Sequence, residues 1–126
     1  MKTSFLDELV EFLFDDKRFN LRFLINKEKR TLFLEFANRK VTIKCDQEDK
    51  FDWKIGLGLA LSKANAINEE KARVHRNWFR NKKTHLLDYK KYAEWVLIEF
   101  YNNDMEDLYN LENRVKKAKD KEFIDL

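Results

Sequence analysis

The sequence predicts an α+β fold: an N-terminal helix, a three-stranded antiparallel meander, then several helices to the C-terminus. Two observations carry this reading. Apolar residues recur at helical spacing up to Phe14, alternate strictly between Leu21 and Cys45, and return to helical spacing afterwards. The 126 residues include no proline and only two glycines, so nothing punctuates the helical stretches or marks a linker. Eleven Phe, four Tyr and three Trp supply large apolar side chains for one core. A chain of this length is expected to form a single domain over 1–126, with 117–126 frayed.

In "SFLDELVEFLF", Phe5, Leu6, Leu9, Val10, Leu13 and Phe14 share one helical face. Asp7, Glu8 and Glu11 lie opposite, and Thr3 or Ser4 can cap. The period then changes to two. Leu21, Phe23 and Ile25 form the first alternating set, Leu32, Leu34 and Phe36 the second, and Val41, Ile43 and Cys45 the third. Polar breaks at "NKEKR" and "ANRK" make these three strands of a meander. One face of such a sheet must be covered, and only the helices can cover it.

After Cys45, Asp49 or Asp52 can cap a helix running to about Ala66. Asn68, followed by Glu69 and Glu70, starts another that ends near residue 80. Leu87, Lys91, Trp95 and Ile98, with Tyr92 and Val96 beside them, mark a third apolar face. Met105, Leu108, Leu111 and Val115 mark the narrow stripe of a fourth helix.

Both glycines fall in "GLGLA". A dinucleotide-binding turn needs G-x-G-x-x-G between strand and helix, but position 61 is Leu. No Gly-Lys-Ser/Thr is present to form a phosphate loop. Inside a helix, Gly56, Ala60 and Ala64 make a ridge of small side chains, which lets that helix lie close to a sheet. The glycines are therefore read as packing residues.

Composition excludes several classes. One cysteine, Cys45, allows no disulfide within the chain and suits a reducing cytoplasm. Asp7, Glu8 and Glu11 interrupt any signal-peptide apolar region, and no stretch matches the ~20 apolar residues of a membrane span. Cys45 has the strand parity of Val41 and Ile43 and reads as a small hydrophobe. His75 and His85 are ten residues apart and share no helix face, so no zinc-ligand pattern forms. Asp46–Asp49 lacks the alternating ligands and glycine of a calcium loop. No cofactor, metal or catalytic residue is implied, and the chain reads as a non-enzyme.

Charge is unevenly distributed. Residues 1–60 carry 12 basic and 11 acidic groups, 61–100 carry 9 and 5, and 101–126 carry 5 and 7. The basic centre culminates in "KARVHRNWFRNKKTH". Arg73, Arg76, Asn77, Arg80, Lys82 and Lys83 are the expected partner-binding residues, with Arg73, Arg76 and Arg80 on one exposed side of a helix. Val74 and Phe79 are expected to hold that helix to the body, and Trp78 to pack inside.

The segment "VTIKCDQEDKFDWKIGLGLALSKA" resembles one found in small uncharacterised accessory proteins of phages and mobile elements of Gram-positive bacteria. The matching positions are Lys44, Cys45, Asp49, Phe51, Asp52, Gly56, Leu57, Ala60 and Lys63. The resemblance spans about residues 31–80, and "ANRK" departs from the Asp-Gly turn common in that family. That class includes anti-CRISPR-type inhibitors. The resemblance thus implies a protein of the host bacterial cytoplasm that binds and inhibits a host defence protein, such as a CRISPR effector nuclease, without a membrane role. The basic helix by itself suggests an alternative, a small nucleic-acid-binding accessory protein. A hydrolase using carboxylates that no motif singles out is the third class.

Overall fold

The computed structural model describes residues 11–26, 28–46, 52–101 and 105–124. Four antiparallel strands come first: β1 (Glu11–Asp16), β2 (Leu21–Asn26), β3 (Thr31–Phe36) and β4 (Arg39–Lys44), in spatial order β1-β2-β3-β4. Four helices follow: α1 (Trp53–Lys63), α2 (Glu69–Trp78), α3 (Tyr89–Phe100) and α4 (Met105–Ile124).

The α+β character holds, but the sheet has four strands rather than three, and it begins where a helix was expected. Glu11–Phe14, the last four residues of the expected helix, belong to β1, whereas its earlier part, with the Thr3 or Ser4 cap, lies outside the described residues. The reason is a pairing that one segment cannot reveal alone. Phe14 pairs with Phe23 and stacks on it at 5.0 Å, while Leu13 pairs with Leu24 on the other face and is 51% exposed. "FLF" suits either period, and a partner strand decides between them.

Strands β2 and β3 keep the predicted alternation. Phe14, Leu21, Phe23, Ile25, Leu32 and Leu34 are buried on the face that the helices cover. Each such side chain contributes about 1.5–3 kcal/mol of burial. The turn between β3 and β4 has only two residues, Ala37 and Asn38, with φ of 48° and 69°. Such values fit the tight turn that follows the twist of a hairpin, although alanine rarely adopts them.

α1 lies between the sheet and α3, capped by Asp52, whose carboxylate accepts from Lys54 N at 2.9 Å. It buries Gly56, Leu57, Gly58, Ala60 and Leu61. The two glycines meet different neighbours. A Cβ on Gly56 would sit 3.4 Å from Leu32 Cβ of β3, an ordinary contact. One on Gly58 would lie 2.5 Å from the Ala93 carbonyl oxygen and 2.8 Å from its Cα. So the glycines are packing residues, and the tighter approach is helix to helix.

α3 turns Tyr92, Ala93, Val96 and Leu97 inward. The expected face on Leu87, Lys91, Trp95 and Ile98 is thereby rotated: Lys91 is exposed and Trp95 only half-buried. α4 keeps its predicted stripe in Leu108, Leu111 and Val115, and Arg114 lies over the Phe14 ring at 4.6 Å. At the other end of the core, Phe19, Phe36, Phe100 and Tyr101 form an aromatic cluster with centroids 5.1–5.6 Å apart. Burial, with Asp16 and Asp107 nearby, pushes the Tyr101 hydroxyl well above the usual phenol range.

Candidate binding face

α2 is a polar helix held by its ends and one side. Asn68 caps it, accepting from Lys71 N at 3.0 Å, and Glu69 and Glu70 complement the first turn. Only Ala72 is buried. Contacts to α3 do the rest: Lys71 Nζ pairs with Glu99 at 3.2 Å, and the His75 ring stacks on Trp95 at 3.8 Å. His75 Nδ1 also lies 2.8 Å from the Lys71 carbonyl oxygen.

Arg76 departs from the expected exposed stripe. Its guanidinium donates to Glu69 Oε1 at 2.6 Å and to the Tyr92 hydroxyl at 2.9 Å. That hydroxyl also shares a 2.6 Å hydrogen bond with Ser62 Oγ. The Glu69 carboxylate, more than the Tyr92 hydroxyl, holds Arg76 still more firmly protonated than a free guanidinium. The reason is helical phase. Arg76 follows Ala72 by four residues and so shares the buried side, whereas Arg73 and Asn77 fall on the outer side.

The same phase reverses the expectation for the aromatics. Trp78 was expected inside, but six residues after Ala72 it points away from the core and is 75% exposed. Val74 does not anchor the helix either, being 53% exposed. Phe79, half-buried, does pack against the core. Trp78 rests edge-on against His75 at 5.3 Å, which completes a Trp95–His75–Trp78 series from half-buried to exposed.

Beyond α2 the chain makes a compact turn with neither glycine nor proline. Asp88 N donates to the Phe79 carbonyl, Asn81 N to the Leu86 carbonyl, and Arg80 forms a bridge with Leu87. The Asn81 side chain supplies the turn itself, its Oδ1 accepting from Lys83 N at 2.8 Å and Thr84 N at 3.0 Å. Arg80 Nη1 closes it by donating to the His85 carbonyl at 2.9 Å, and His85 takes φ of 61°. This turn holds Lys82 and Lys83 in solvent and leaves Leu86 70% exposed.

The six predicted residues therefore divide. Arg73, Asn77, Lys82 and Lys83 are exposed on the outer side of α2 and its turn. Arg80, also exposed, braces the turn, and Arg76 faces the core. Trp78, Val74 and Leu86 were missed, and they are the exposed apolar residues of α2 and its turn. For the two on the helix the signal was present: once Ala72 is taken as the buried anchor, 100° per residue puts Val74 nearly opposite and Trp78 about 120° round from that anchor.

Elsewhere the predicted chemistry disperses. Cys45 is half-buried just past β4, where Arg30 Nη2 donates to its sulfur at 3.4 Å. Of Asp46–Asp49, only Asp46 is described, and its carbonyl accepts from the same guanidinium at 2.8 Å. Among the described residues, no three His, Cys, Asp or Glu side chains converge on a metal position, and no helix is long and apolar enough to cross a membrane. Comparisons with protein-family models, curated proteins and solved structures return no match, so no family assignment stands beside the resemblance read from the sequence.

Proposed function

We propose that this protein works by binding rather than by catalysis, engaging an acidic surface of a partner protein through α2 and the turn that follows it. The observation that carries this is Trp78. An ordered helix leaves its largest side chain 75% exposed, one turn from the exposed Val74 and just before a turn that exposes Lys82, Lys83 and Leu86. Exposed apolar groups rimmed by charge mark interaction surfaces, and tryptophan and arginine dominate their energetics. The turn is braced by its own hydrogen bonds, so little ordering entropy is lost on docking. In the form that the resemblance suggests, the partner is a host defence protein such as a CRISPR effector nuclease, and binding to an acidic patch beside its nucleic-acid or regulatory surface occludes that surface.

A second reading takes nucleic acid as the partner. It is favoured by the same exposed indole beside lysines, since a base can stack on such a ring. One experiment separates the two. The wild-type chain, Trp78→Ala and Lys82→Glu/Lys83→Glu are each used to capture partners from a nuclease-treated bacterial host lysate. A protein retained by the wild type and lost with both variants is the expected result. Capture seen only when the nuclease is left out, together with oligonucleotide affinity falling log-linearly with salt, favours the second reading. Equal capture by all three chains removes this face from the function.

A further inference from the structure

The outer edge of β4 is a second surface of interest, and its reading does not rest on the Trp78 face. Sheet order leaves β4 at the edge. Cys45 N donates to the Arg30 carbonyl at 2.8 Å, in register with Thr31↔Lys44 and Leu32↔Ile43. Antiparallel alternation then makes Ile43, Val41 and Arg39 the residues bonded to β3. Lys40, Thr42 and Lys44 turn their N–H and C=O groups outward. Among the described residues, no main-chain bond outside the sheet satisfies them.

A cleft of about 490 Å³ runs beside this edge. Ile43, Leu59 and Tyr89 give it apolar walls, and Lys63 and Arg76 line it as well. Among the described residues that line it, the one acid is Glu69, already paired with Arg76. β4 itself reads Arg-Lys-Val-Thr-Ile-Lys, with no acidic residue. The cleft and the strand thus have the same positive sign, with Glu35 of β3, opposite Lys40, the one acid paired across β4. Edge lysines deter pairing with neutral or basic strands, including a second copy of β4. They favour an acidic strand, because opposite charges across a pair are stabilising.

We propose that β4 accepts a fifth strand: an extended segment of a partner protein in which acidic and apolar side chains alternate. Its acids lie beside Lys40 and Lys44 on the solvent face. Its apolar side chains, on the opposite face, enter the cleft against Ile43, Leu59 and Tyr89. Main-chain bonds to Lys40, Thr42 and Lys44 supply affinity, and the alternating side chains supply specificity.

The probe is an acetylated, amidated eight-residue peptide alternating Glu and Val, with a Lys/Val peptide as control. Binding is followed by fluorescence anisotropy, and amide exchange is read at residues 40, 42 and 44. Thr42→Pro removes one outward N–H at a position where an edge strand tolerates proline. Lys40→Glu/Lys44→Glu reverses the charge and leaves the backbone intact, which keeps the test valid if the proline variant fails to fold. The expected result is binding of the Glu/Val peptide alone, slowed exchange at the three amides, and affinity at least tenfold weaker in each folded variant. Trp78→Ala leaves this affinity unchanged. No binding to the wild type, equal binding of both peptides, or full binding by Lys40→Glu/Lys44→Glu overturns the proposal. So does sedimentation showing that copies of the chain occupy this edge themselves.

Discussion

Helices α1 and α2 are consecutive and nearly equal in length, 11 and 10 residues, yet α1 buries five residues and α2 only Ala72. α1 is apolar on nearly every side because it is covered by the sheet and by α3. α2 is fastened along one side by charge and ring contacts, and it leaves Trp78 in water. The difference teaches which of two conspicuous sequence features concerns folding. "GLGLA" resembles a ligand motif but determines how closely helices approach. The tryptophan resembles core but lies at the surface. Mutations should therefore act on stability in α1 and on the inner side of α2, and on binding on the outer side of α2.

The largest expected effect is at Gly58. Alanine there gains about 1 kcal/mol of helix propensity, but its Cβ meets the Ala93 backbone of α3. Overpacking of about 1–3 kcal/mol or more exceeds that gain, so Gly58→Ala melts several degrees lower. Gly56→Ala, two residues earlier, has ordinary contact with Leu32 and should melt at or slightly above the wild-type temperature. Equal behaviour of the two variants would break the distinction between helix–helix and helix–sheet approach.

Arg76 comes next, because it ties α2 to α3. Arg76→Ala removes its bonds to Tyr92 and Glu69 and leaves the buried Tyr92 hydroxyl with Ser62 alone. A cost of about 1–2 kcal/mol in denaturant unfolding is expected. Arg73→Ala should stay within about 0.5 kcal/mol, as exposed substitutions do. Equal costs would restore the single stripe that the sequence suggested.

A smaller effect lies outside both helices. The Arg18 side chain, bonded to Asp16 at 3.0–3.2 Å, outweighs burial and holds that carboxyl below the usual carboxylate range. A lowered folded-state pKa contributes stability that is fully present above the unfolded value of about 3.9 and is lost as pH falls through the folded one. Asp16→Asn should therefore be less stable than the wild type at pH 7, with the gap closing below about pH 4. Parallel stability–pH curves for the two chains would contradict the pairing.

Much of the fold could be read from local sequence. Alternation at Leu21–Ile25 and Leu32–Phe36 identified two strands, Asn68 identified one cap and Asp52 was one of two candidates for another, because each signal is contained within a few residues. What could not be read depends on distant partners. Phe14 is a strand residue because Phe23 lies across from it. Tyr92 is buried, although polar, because Ser62 and Arg76 reach its hydroxyl from other helices. The candidate face was half legible: its cations stood out by charge, while Trp78 and Leu86 were hidden by the assumption that apolar residues face inward.

The most direct test of the division between the two helices is a paired measurement on Trp78→Ala, in which equilibrium unfolding and partner capture are determined on the same preparation. The expected result is unfolding free energy within about 0.5 kcal/mol of the wild type, with capture of the partner lost. A folded variant that captures its partner as well as the wild type would contradict the binding role of α2. A variant that loses its fold would mean that Trp78 belongs to the core after all.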